Sequence, residues 1–178
     1  MKSNRPEDRN AAGADSPRTV AGPEALRQLF AACCEYAFEV ELGVADPQLV
    51  DYMSEMLVRF VRSEKLAPFR KPDGTPINRI AEMLEEAESR EGRPKRELQR
   101  HIGDVSLFWT GVYPESLPKI QSIDSPDFLL DVPSQGRRCY RLAAEYDDET
   151  SPVLLRIAEE YEVCQEGLSI AREAWRAA

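Results

Sequence analysis

The stretch "ELQRHIGDVSLFWTGVYPESL", Glu97–Leu117, decides how this chain is read. Leu98, Ile102, Val105 and Trp109 recur at steps of four, three and four, the spacing of one apolar face of a helix. His101, Asp104 and Phe108 form a second stripe beside it. Gly111 stands where a helix end takes a left-handed residue, and Pro114 follows where a helix cannot continue. The stretch therefore predicts a helix over about 94–110. Gly103 runs against that reading, because a mid-helix glycine costs about 1 kcal/mol relative to alanine. A second helix passing close to Gly103 is the expected compensation.

Working outward, one signal repeats. A proline follows a turn residue just ahead of an apolar-periodic run at Gly22-Pro23, Asp46-Pro47, Thr75-Pro76, Ser125-Pro126 and Ser151-Pro152, and with a poorer cap at Arg93-Pro94. Proline suits the first helical position because its missing N–H has no partner there, and the residue before it can accept from the free N–H groups. Helices are predicted over about 23–42, 47–62, 76–90, 94–110, 134–147 and 152–176, with a short one in "DFLLDV". The first buries Leu26, Leu29, Phe30, Cys33, Tyr36, Ala37 and Val40 and stops at Gly43. The second buries Leu49, Met53, Met56, Leu57 and Phe60, widened by Val50 and Val61, and is expected to be central. The third buries Ile77, Ile80, Ala81, Leu84 and Ala87 and ends at Gly92. "RSEKLAPFRKPDGTP" reads as a loop.

The last helix carries Leu154, Ile157, Tyr161, Cys164, Leu168, Ala171 and Trp175 in heptad spacing. Cys139, Leu142, Ala143 and Tyr146 can face it, which predicts a C-terminal helical hairpin; a dimeric coiled coil is the alternative, so a monomer or a homodimer is expected. No strand-period segment is evident. The fold class is all-α, a compact bundle of five to seven helices. Residues 1–21 are expected to be a disordered tail, and 22–178 a single domain.

Composition narrows the function classes. The 178 residues carry a net charge of −9. Counterion release at a phosphate backbone needs a positive surface, so nucleic acid is not expected as a partner. No apolar run is long enough to cross a membrane, and the first residues lack the apolar core of a secretory signal, so the cytoplasm is expected. Cys33, Cys34, Cys139 and Cys164 make no C-x-x-C pair, and one histidine cannot complete a two-Cys, two-His zinc site. They read as buried thiols. The glutamate clusters of the first and last helices lack the paired Glu-x-x-His of a di-iron bundle. No metal or cofactor is assigned.

Three constellations could carry function. His101 and Asp104, three apart on one helix, could form a base oriented by a carboxylate. Trp109, Tyr113 and Glu115 could wall a ligand pocket beside them. Arg93, Lys95 and Arg96 at a helix start could hold an anion. The first has no accompanying nucleophile elbow, phosphate loop or metal spacing, so a structural histidine is favoured over catalysis.

The segments "SEMLVRFVRSEKL", "IAEMLEEA", "GDVSLFWTGVYPESL" and "RRCYRLAAEY" resemble a family of uncharacterised bacterial helical proteins. Gly103-Asp104, Leu107-Phe108, Gly111 and Tyr113-Pro114-Glu115 carry the pattern, which would cover most of residues 25–175. The resemblance implies a helical fold and a bacterial origin, and no activity, cofactor or site residue. The expected function is a non-catalytic protein-interaction module with an unknown protein partner. The alternative is a small-molecule-binding bundle or enzyme with a pocket around His101 and Asp104.

Overall fold

Helix starts at proline recur in the computed structural model, which describes residues 22–61, 68–71 and 73–178. The expected tail, and residues 62–67 and 72 of the expected loop, lie outside the described residues. Helix α1 spans Pro23–Glu35, α2 Pro47–Val61, α3 Ile80–Glu88, α4 Gly92–Leu107, α5 Leu117–Ile120, α6 Val132–Ala144, α7 Ser151–Glu159 and α8 Tyr161–Ala177. No strand is formed among the described residues. The all-α bundle is thus realised, with eight α-helices among the described residues where five to seven were expected.

Two helices end in a wider π turn, and both alter the predicted faces. The chain after α1 is π-helical over Tyr36–Glu41, with the Leu42 N–H bonded to the Ala37 carbonyl five residues back. The wider turn rotates the face. Phe38 goes fully inside, while Tyr36 and Val40, expected in the core, stand 45% and 70% exposed. The chain after α4 is π-helical over Phe108–Val112. Gly111 lies inside that turn and takes no left-handed φ, so it is not the predicted stop. Its place is set by packing: a Cβ there would stand 3.1 Å from Leu168 Cβ and 3.2 Å from the Gln165 backbone.

Helix α4, not α2, is the axis of the bundle. Every residue from His101 to Leu107 is buried. It packs chiefly against α6 and α3, and its π turn packs against α8. The predicted contact at Gly103 is the ring of Tyr140 on α6, which a Cβ would meet at 2.8 Å. The other predicted stripes hold where the helices are regular: Leu49, Met53, Met56, Leu57 and Phe60 of α2 are buried, as are Leu154, Ile157, Tyr161, Cys164, Leu168 and Ala171. Val61 is half exposed.

The expected single C-terminal helix breaks at Glu160 (φ −110°, ψ 36°). α7 folds back on α6 as the hairpin partner, and α8 turns away to pack on α1 and on both π turns. A T-shaped Phe30–Trp175 pair, 5.1 Å between centroids, ties α8 to α1.

"DFLLDV" forms turns ahead of α6 rather than a helix of its own. Asp127 explains why. Its carboxylate is buried and accepts from the N–H groups of Ile80 (3.2 Å) and Ala81 (2.7 Å), capping α3 from 46 residues away. Ser125 Oγ in turn accepts from the Asp127 N–H, and Gln121 Nε2 donates to the carbonyls of Asp127 and Leu130. That cap also dates the start of α3 to Ile80; Pro76 instead pairs with Arg70 in an isolated antiparallel bridge. α4 begins at Gly92 itself (φ 58°), two residues before Pro94, so Gly92 opens this helix and does not end α3, which stops at Glu88.

Candidate functional site: an aromatic groove beside a buried carboxylate

Asp104 holds three helices together. Its Oδ1 accepts from the hydroxyls of Tyr52 on α2 (2.5 Å) and Tyr140 on α6 (2.9 Å), and its Oδ2 accepts from Arg59 Nη2 on α2 (3.0 Å). The side chain is 2% exposed. Burial and the neighbouring Asp104 carboxylate push both tyrosine hydroxyls well above the usual phenol range. Each phenol therefore stays a donor, which suits a carboxylate buried among them. Arg59 also lies over the Tyr52 ring, 5.7 Å from its centroid. Arg100, one turn before Asp104, pairs with Glu97 at 3.3 Å.

His101 shares the same side of α4. It is 7% exposed and packs edge-on to Phe60 (5.9 Å between centroids) and tilted against Phe69 (5.2 Å). His101 and Asp104 do line one cleft, about 220 Å³ in volume, with Arg59, Phe69 and Arg100. The described lining offers no serine, threonine or cysteine to act as a nucleophile. All four cysteines lie elsewhere, buried and unbridged. Burial raises their pKa values, to about 12 for Cys34, Cys139 and Cys164. Such thiols are poor nucleophiles at neutral pH. Among the described residues no three His, Cys, Asp or Glu side chains gather as metal ligands would.

The ligand-pocket trio falls on the other side of Phe60. Trp109 and Tyr113 line a groove of about 440 Å³ with Phe60, Val61, Phe108 and Trp175, and Ser116 is its one non-aromatic polar lining residue among those described. Phe60 belongs to both depressions and stacks edge-on to Phe108 at 5.0 Å. The π turn is what gathers the aromatics. It carries Phe108 and Trp109 round toward Tyr113, whose ring lies 5.5 Å from Phe108 and 6.2 Å from Trp109.

Glu115 stands at the rim, paired through both carboxylate oxygens with Arg172 of α8, one of them at 2.9 Å. That bond holds the Glu115 carboxyl below the usual carboxylate range. The Arg172 guanidinium covers the Tyr113 ring at 4.7 Å. The pair pins the Pro114–Ser116 turn to α8, and so holds one wall of the groove.

The three basic residues at the α4 start part ways. Arg93 is exposed and Lys95 half-buried, while Arg96 is buried and bonded to Glu97 (2.8 Å), Thr150 (2.5 Å) and Asp148 (2.5 Å). Arg96 thereby anchors the α6–α7 connection. A cation so paired leaves little for an external anion.

Sequence reasoning missed Tyr52, Arg59, Tyr140 and Arg172 as site residues. None carries a local signal, since each meets its partner across 36 to 57 residues of chain. No helix among the described residues is long and apolar enough to cross a membrane. No protein-family model, curated protein or solved structure matches the chain.

Proposed function

We propose that this chain is a non-catalytic module of the cytoplasm that binds another protein through the aromatic groove between α2, the π turn after α4 and the end of α8. One observation carries this reading. The chain's two tryptophans, Trp109 and Trp175, sit far apart in sequence yet line one groove half-buried, with Tyr113 beside them. Tryptophan and tyrosine at the surface are the residue types that anchor protein interfaces. Four unbridged cysteines support a reducing compartment. The test is a photo-cross-linking residue placed at Ser116 in the groove, compared with one at Glu85 on the outer face of α3. Adducts of one defined protein at Ser116 alone support the reading. Equal or no adducts at Ser116, with turnover found in a metabolite panel, would overturn it.

A second reading is favoured by the His101–Asp104 cleft, whose 220 Å³ and charged lining suit a small polar molecule. A small-molecule mass retained in native mass spectrometry, and lost in His101→Leu, would select it.

A further inference from the structure

The arginines of this fold show which aromatic faces are already taken. Among the described residues Arg59 lies over Tyr52, Arg90 over Phe69, Arg137 over Tyr161 and Arg172 over Tyr113, at 4.7 to 5.7 Å. Trp is the best cation acceptor of the ring side chains. Yet no described Arg or Lys lies over Trp109 or Trp175, and both line the same groove. The described lining of that groove holds no ionised side chain of either sign. Arg172, beside the groove, is turned onto Tyr113 and matched by Glu115. The chain as a whole carries −9.

Resting on the reading of the groove as a protein-binding face, we infer that it receives an alkylated ammonium: the trimethylated side chain of a lysine in a basic segment of the partner. Chemistry separates this ligand from its neighbours. An anion finds only neutral donors in that lining, the hydroxyls of Tyr113 and Ser116 and the indole N–H groups, and no described cation. A bare ammonium needs three acceptors for its N–H groups, and losing their hydration uncompensated is costly. A trimethylammonium keeps the charge, has no N–H to satisfy, and offers methyl groups to apolar walls. The two tryptophan rings, over which no described cation lies, attract its charge through the ring quadrupole. A volume of about 440 Å³ admits the head group with part of its stem. The acidic surface favours the approach of a basic segment and disfavours an acidic one.

The test uses the full chain and three probes: a blocked trimethyllysine (N-acetyl, N-methylamide), its neutral tert-butyl isostere, and choline. Both tryptophans lie in the groove, so their fluorescence and their two indole N–H signals in NMR report it without interference. The expected result is a saturable change with the blocked trimethyllysine, and binding at least tenfold weaker for the neutral isostere. Equal affinity for the isostere would overturn the cation assignment while leaving the groove a binding face. Choline binding without blocked-trimethyllysine binding would overturn the protein-borne source. No response to any probe would overturn the inference outright. Because the comparison varies the ligand and not the protein, no folding defect can imitate either result. Cross-linking at Ser116 tests the underlying reading separately.

Discussion

The hydroxyl of Tyr140 donates to Asp104 Oδ1 across 2.9 Å, with both residues closed to solvent. A hydrogen bond to a charged group contributes about 1.5–3 kcal/mol, so Tyr140→Phe is expected to lower unfolding free energy by that amount. Asp104→Ala should cost more, about 3 kcal/mol or above, because it strands two hydroxyls and leaves Arg59 without its partner. Urea denaturation of the two variants measures both. A loss below about 1 kcal/mol for Asp104→Ala would show that this carboxylate does not organise the bundle.

Much of this was legible from spacing alone, and the reasons for the rest are physical. Regular helices reveal their buried face by period, so the stripes of α2 and of the last two helices were readable. A π turn inserts a residue without marking it, and Tyr36 and Val40 therefore landed on the wrong side. Gly103 announced its partner by being an expensive residue, but nothing local said that the partner was Tyr140. Asp127 reads as a turn residue near Ser125-Pro126, and only the folded chain shows it capping α3. The groove was half visible. Trp109 and Tyr113 stood together in sequence, while Phe60 and Trp175 looked like ordinary core positions. Asp104 stood out in the sequence as a weak helix former beside Gly103, but three long-range donors, none visible in a local window, occupy it.

Gly103 makes a prediction whose sign can be reversed. In an open helix Gly103→Ala would gain about 1 kcal/mol. Here its Cβ would sit 2.8 Å from the Tyr140 ring, so overpacking of about 1–3 kcal/mol should outweigh that gain. Removing the ring removes the conflict. Gly103→Ala introduced into a Tyr140→Ala background, which also lacks the Cγ that stands 2.9 Å from the built Cβ, should be neutral or stabilising. A double-mutant cycle by thermal or urea unfolding reads the coupling. Additive effects would mean that the helices part easily, and that the close approach of α4 and α6 is not what selects glycine.

The cysteines predict chemical silence. With Cys34, Cys139 and Cys164 raised to about 12 by burial, their thiolate fractions stay small through the alkaline range. Native protein treated with a colourless-disulfide thiol reagent at pH 8 should label no faster than it opens, and urea should accelerate labelling in step with unfolding. An exposed thiol would instead speed up about tenfold per pH unit below its pKa of about 8.5. Rapid labelling of one thiol in the native state would identify a reactive cysteine and reopen covalent chemistry.

The Glu115–Arg172 pair gives a pH dependence with a defined sign. Arg172 holds the Glu115 carboxyl below its ordinary value in the folded chain. A group depressed on folding stabilises above its unfolded pKa, about 4.3 for glutamate, and that contribution fades as the pH falls through the folded value. The bond pins the Pro114–Ser116 turn beside Tyr113, so acidification should loosen one wall of the aromatic groove before it unfolds the bundle. Tryptophan fluorescence should shift below about pH 4.3 ahead of the loss of helical circular dichroism. In Glu115→Gln the early shift should vanish, because the wall is then already released at neutral pH. An identical acid profile in wild type and variant would mean that the turn is held by the packing of Tyr113 against Phe108 and Trp109, and that Arg172 only decorates it.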